Sequence, residues 1–100
     1  MNIQLSFHDH ASVIQLTGRF EFSAHPEFRG ACGKALAHHA AEIRVDLSGV
    51  EYMDSAALGM LLLLRDKATV SARQVVLMKP SDNVSKVLTV ANFSRMFEIR

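Results

Sequence analysis

The run Asp46-Leu47-Ser48-Gly49-Val50-Glu51-Tyr52-Met53-Asp54-Ser55-Ala56-Ala57-Leu58-Gly59-Met60-Leu61 constrains this chain more than any other segment. Upstream, Ile43, Val45 and Leu47 alternate with Arg44 and Asp46, the period of a strand with one buried face. Downstream, Ala56 to Leu64 is apolar, and a helical reading continues to about Val70. The period changes at Asp54-Ser55, residue types that belong at a helix start. The expectation is a strand leaving through Asp46-Leu47-Ser48, a short loop, and a central helix opening at Ser55. A hydroxyl placed there is exposed and sits at the positive end of a helix dipole, where a phosphate is favoured.

Other segments supply partners for this strand and helix. Ile3, Leu5 and Phe7 alternate with polar residues, and a looser alternation follows from Val13 to Thr17, predicting strands over 2–7 and 12–18 joined by His8-Asp9-His10-Ala11. A helix is expected from Ser23 or Ala24, with Pro26 in its first turn and Phe28, Cys32, Ala35 and Leu36 on one face, fading near His38-His39. Gln74 to Met78 reads as a strand broken by Pro80. Ser81 is an N-cap for a helix carrying Val84, Val87, Leu88 and Ala91, which Asn92 ends. Phe93, Met96, Phe97 and Ile99 form a last apolar segment. The order β-β-α-β-α-β-α predicts an α/β fold: one domain over residues 1–100, with helices packed on a mixed sheet of four to five strands.

Composition narrows the function. A formal net charge of +1 with scattered Lys and Arg argues against nucleic acid as a partner. With one cysteine, Cys32, neither an internal disulfide nor a cysteine zinc site can form, and Cys32 reads as a small buried residue. The five histidines lack a carboxylate or cysteine cluster to complete a metal site. The apolar run after Ser55 is too short to span a bilayer and the first residues do not read as a signal segment, so membrane insertion is not expected and the default location is cytoplasmic. Neither a Walker A sequence nor a kinase glycine loop is present, and Met53 and Ala57 flank Ser55 where a hydrolase elbow needs glycine. Asp54 as the phosphoacceptor of a receiver domain would need an acidic cluster near the first strand and a longer chain. The expectation is a protein that is not an enzyme and needs no cofactor.

Asp46-Leu47-Ser48 followed by Tyr52-Met53-Asp54-Ser55-Ala56-Ala57-Leu58-Gly59 resembles the signature of STAS domains, specifically of bacterial anti-sigma-factor antagonists. The element order agrees with that family over essentially the whole chain. Gly18-Arg19-Phe20-Glu21-Phe22-Ser23-Ala24-His25 and Leu58 to Asp66 resemble a gammaproteobacterial branch of partner-switching regulators. The resemblance implies that Ser55 is the phosphoacceptor, and that the unmodified form binds an anti-sigma factor or similar regulator while the phosphorylated form releases it. It further implies a serine kinase and a PP2C-type phosphatase, linked to a response regulator, as the other partners. Glu21, Phe22, Ser23, Asp54, Ser55, Ala56, Ala57 and Met60 are the expected partner-binding residues.

Two departures from the family pattern stand out. Ala56 and Ala57 replace the second hydroxyl residue and the glycine that often follow the acceptor, leaving Ser55 as the motif's only acceptor. Glu21 stands where the family has an aspartate. The alternative function is a STAS accessory subunit of a transporter or other complex, using the same surface without phosphorylation. Leu62, seven residues past Ser55, is expected to point into the core facing the sheet.

Overall fold

Ile3, Leu5 and Phe7 on β1 (Asn2–Phe7) stand opposite Leu16, Ile14 and Ser12 on β2 (Ala11–Phe20), so the alternation in the sequence becomes an antiparallel hairpin. β3 (Glu42–Met53) runs parallel to β2, β4 (Gln74–Met78) to β3, and β5 (Glu98–Ile99) to β4. The result, in a computed structural model that describes residues 1–100, is one five-stranded mixed sheet ordered β1-β2-β3-β4-β5. The expected last apolar segment resolves into a single 3-10 turn, Phe93–Arg95, and the short fifth strand.

Three helices connect the parallel strands: α1 (His25–Ala37), α2 (Ser55–Val70) and α3 (Asp82–Val90). Every crossover moves one strand over in the same direction, and right-handed crossovers then place all three helices on one face. Ile14, Val45 and Leu77 of the sheet accordingly share one core cluster with Phe28 of α1, Leu61 of α2 and Leu88 of α3. The opposite face presents Gln4, Gln15, Thr17, Arg44, Asp46 and Ser48, exposed or half-buried.

The helix ends follow their local chemistry. Pro26 lies in the first turn of α1, where a backbone N–H is dispensable. Ser81 caps α3 by accepting from the Val84 amide at 3.4 Å, and Asn92 takes the left-handed conformation (φ 59°) just past that helix.

Two expectations need correction. β3 does not give way to a loop after Ser48; it continues to Met53, so strand and helix are separated by Asp54 alone. The sequence Ser48-Gly49 looks like a turn because its role is nonlocal. Between the pairs Gln15↔Asp46 and Thr17↔Gly49, and again between Gly18↔Val50 and Arg19↔Tyr52, β3 carries one more residue than β2. At the first irregularity a β-carbon on Gly49 would sit 3.0 Å from the Leu16 carbonyl oxygen, so glycine lets the strands stay together.

The second correction concerns Leu62, which is half-buried, while Leu61 and Leu64 are the core residues of α2. At about 100° per residue, seven residues bring a side chain back to within about 20° of its starting direction. Leu62 therefore shares Ser55's side of the helix, and the core line runs through Ala57, Leu61, Leu64 and Ala68.

Candidate functional site

The end of β3 and the start of α2 are held by one carboxylate. Asp54 is the N-cap of α2: its Oδ1 accepts from the Ala57 amide at 2.9 Å, and its Oδ2 accepts from the Phe22 amide at 3.2 Å. The Asp54 amide donates to the Phe20 carbonyl at 3.3 Å. The junction between β2 and α1 is thereby clamped to the N-terminus of α2, although the two are more than thirty residues apart in sequence.

Because Asp54 does the capping, Ser55 does not. It occupies the first helical position, is exposed, and its hydroxyl has no hydrogen bond within the chain. Of the four first-turn amides, Ala57 is bonded to the Asp54 side chain and Leu58 to its carbonyl, which leaves those of Ser55 and Ala56 as orphan donors. No histidine or carboxylate is hydrogen-bonded to the Ser55 hydroxyl as an activating base would be. No group of three His, Cys, Asp or Glu residues is arranged to hold a metal.

Around the serine lies an apolar rim with paired charges. Phe22, 72% exposed, leads the 3-10 turn Phe22–Ala24 and stacks on His25 with ring centroids 6.4 Å apart. Ser23 is exposed beside it. Arg19 lies 4.2 Å above the ring of Tyr52 and 3.4 Å from a Glu21 carboxylate oxygen.

The structure divides the expected contact residues. Phe22, Ser23 and Ser55 are exposed, and Glu21, Asp54 and Ala56 are half-buried. Ala57 and Met60, also expected at the contact surface, are instead buried, because they point at the sheet and at α1 rather than outward. Arg19 and Tyr52 lie beside these residues without having been expected there, because only the shifted register of β2 against β3 brings the two together. Leu63, 54% exposed, lies on the outer side of α2 but about 80° round the helix from Ser55, on the flank toward α1.

Comparisons with known proteins place this geometry in a family. A family model described as "Mlab, STAS domain" matches residues 3–98. A STAS-domain containing protein of Pseudomonas aeruginosa, strain UCBPP-PA14, is 45% identical over 87 residues, covering 87% of this chain and 85% of the relative. This chain therefore belongs to the STAS domain family. Among solved structures, the anti-sigma factor antagonist SpoIIAA in its unphosphorylated form has the same fold, with a TM-score of 0.84 at 22% identity, over 99% of this chain and 88% of that one. The phosphorylated form of the Bacillus protein gives 0.76 at 21% identity, over 99% and 91%. A sulfate transporter family protein from Wolinella succinogenes gives 0.73 at 14% identity, over 85% and 69%.

Proposed function

We propose that this protein is a phosphorylation-switched anti-sigma factor antagonist. Its unmodified form binds an anti-sigma factor or equivalent regulator, a serine kinase modifies Ser55 to release that partner, and a PP2C-type phosphatase restores binding. One observation carries the reading: the exposed hydroxyl of Ser55 is free of any structural duty because Asp54 holds the cap. The likeness to an antagonist solved in both phosphorylation states gives further support.

The physics of the helix start suits such a switch. A phosphoserine carries roughly −1.5 to −2 charges at neutral pH. At the first turn of α2 the dipole favours it by about 0.3–1 kcal/mol, and the amides of Ser55 and Ala56 are donors without other partners. The fold accepts the modification. A docked partner covering Phe22 and Ser55 would have to bury that charge beside the Asp54 carboxylate, at a cost of several kcal/mol. A micromolar contact, worth about 8 kcal/mol, is effectively dissociated by such a loss. The chain itself supplies no nucleotide cradle, so ATP, metal and catalytic base come from the kinase.

A second reading has its own support. The fold shared with a sulfate transporter family protein from Wolinella succinogenes suits a STAS accessory subunit that would use this surface without phosphorylation. Phosphopeptide mapping of the protein from cells, combined with binding of wild-type, Ser55→Ala and authentically phosphorylated protein to captured partners, separates the two. The switch requires Ser55 to be the dominant phosphosite, with Ser55→Ala binding and phosphoprotein releasing. Occupancy mainly at Ser48, Ser81 or Ser94, or equal affinity of all three forms, would sink it in favour of the accessory subunit.

A further inference from the structure

Between α1 and α2, on the side away from the sheet, lies a half-open cavity of about 220 Å³. It runs from His25 and Met60, near the N-terminal ends of the two helices, to Cys32 and Lys67 about two turns further on. Its floor is apolar, formed by Phe28, Cys32, Met60 and Leu64. Burial pushes the Cys32 thiol up to about 12, so that side chain stays neutral and belongs to the floor. The rim is basic. Arg29 from α1 and Lys67 from α2 both face the cavity, both are exposed, and neither belongs to an ion pair. No carboxylate lines the cavity.

Several other Lys and Arg side chains also lack an ion pair, but Arg29 and Lys67 are brought from two helices to the rim of one apolar cavity that no carboxylate lines. Two unpaired cations on facing helices, above an apolar trough, match a ligand with an apolar body and an anionic head. The size sets a limit. The cavity lies below the roughly 300 Å³ at which drug-sized sites begin.

We propose that the trough between α1 and α2 is a binding site for a small amphipathic anion, a short chain or single ring carrying one carboxylate, sulfate or phosphate. The apolar part lies on Phe28, Met60 and Leu64, and the anionic head is held between Arg29 and Lys67. The site makes no use of Ser55 and stands or falls independently of the phosphorylation switch.

Octanoate is a suitable probe, titrated into the isotope-labelled full chain and followed by amide and methyl NMR shifts, with 1-octanol and octylammonium as neutral and cationic comparators. The expected result is a saturable response confined to residues around Phe28, Arg29, Met60, Leu63 and Lys67, about tenfold weaker for octanol and absent for octylammonium. Arg29→Glu and Lys67→Glu lie on exposed positions, so their spectra should stay dispersed while each weakens octanoate by about tenfold. Equal responses to octanoate and octanol would overturn the charge recognition. Shifts scattered over the surface without saturation, or unchanged octanoate affinity in both charge-reversed variants, would overturn the site.

Discussion

The two ends of β3 are built on opposite plans. At its N-terminal end, Glu42 bonds Arg44 at 2.9 Å and Arg100 at 2.8 Å, Arg100 also bonds Glu98, and Glu98 accepts from Gln74 at 3.1 Å. Glu42, Arg44, Glu98 and Arg100 satisfy one another. At its C-terminal end, Phe22 and Tyr52 are exposed, the Ser55 hydroxyl is unpartnered, and a single aspartate holds two chain segments in place. The first end asks nothing of a partner. The second, at the carboxyl ends of the parallel strands where open α/β sheets place their ligands, leaves apolar surface and hydrogen-bonding capacity unused. The candidate site is marked by what the fold leaves unsatisfied.

The strongest way to break this picture is through the core on which both ends stand. Leu61→Asp buries an unpaired carboxylate at a position with no exposure and should cost several kcal/mol, a large share of the roughly 5–15 kcal/mol a domain possesses. Urea unfolding followed by circular dichroism should find little or no folded protein. Leu63→Asp, on the outer side, should shift stability by only about 0.5 kcal/mol; similar losses in the two variants would mean that the inner and outer faces of α2 are misassigned.

Asp54→Ala tests the open end directly. Losing the cap of α2 and the bond to the Phe22 amide should cost about 1–2 kcal/mol in denaturant midpoint. Hydrogen exchange at Phe22 and Ala57 should rise more than at Val45, and uniform acceleration would show that Asp54 does not act as a local clamp.

The closed end makes a pH prediction. Arg100 and then Arg44, through hydrogen bonds, hold the Glu42 carboxyl below the usual carboxylate range. A carboxyl whose pKa is lower folded than unfolded stabilises above its unfolded value, about 4.3, and loses that contribution as pH falls through the lower folded value. Glu42→Gln should therefore melt below wild type at pH 7 by a modest margin, and the gap should close as both are titrated into acid through the lowered folded value. A gap that persists in acid would remove the ion pairs from the account. Partner binding should be untouched by this variant.

The smallest effect on stability is expected at the serine itself. Ser55→Asp should unfold within about 0.5 kcal/mol of wild type, since a carboxylate in the first turn of a helix is neutral or mildly favourable. A destabilisation as large as that of Asp54→Ala would mean that Ser55 has a structural duty after all.

Much of this molecule was legible in local pattern. The period of two in β1, the short apolar run of β4, the caps Ser81 and Asn92, Pro26 at the opening of α1 and the start of α2 at Ser55 all depend on residues a few positions apart. Local dihedral preference and side-chain spacing fix such features before any long-range contact forms. That is why the order of strands and helices and the helix start at Ser55 could be read from one chain, while the STAS family was read from the resemblance of the segment Asp46 to Gly59.

Only the tertiary structure decided the rest. The reach of β3 to Met53 depends on a shifted pairing with β2 that Ser48-Gly49 conceals. The burial of Ala57 and Met60 depends on which side of α2 meets the sheet and α1, and that turns on a difference of one residue between Leu61 and Leu62. The second bond of Asp54, to the Phe22 amide, and the meeting of Arg29 with Lys67 across one trough join segments that the sequence holds more than thirty residues apart. Spacing along a chain specifies a face of an element, whereas the neighbour that face receives is set by how the elements pack.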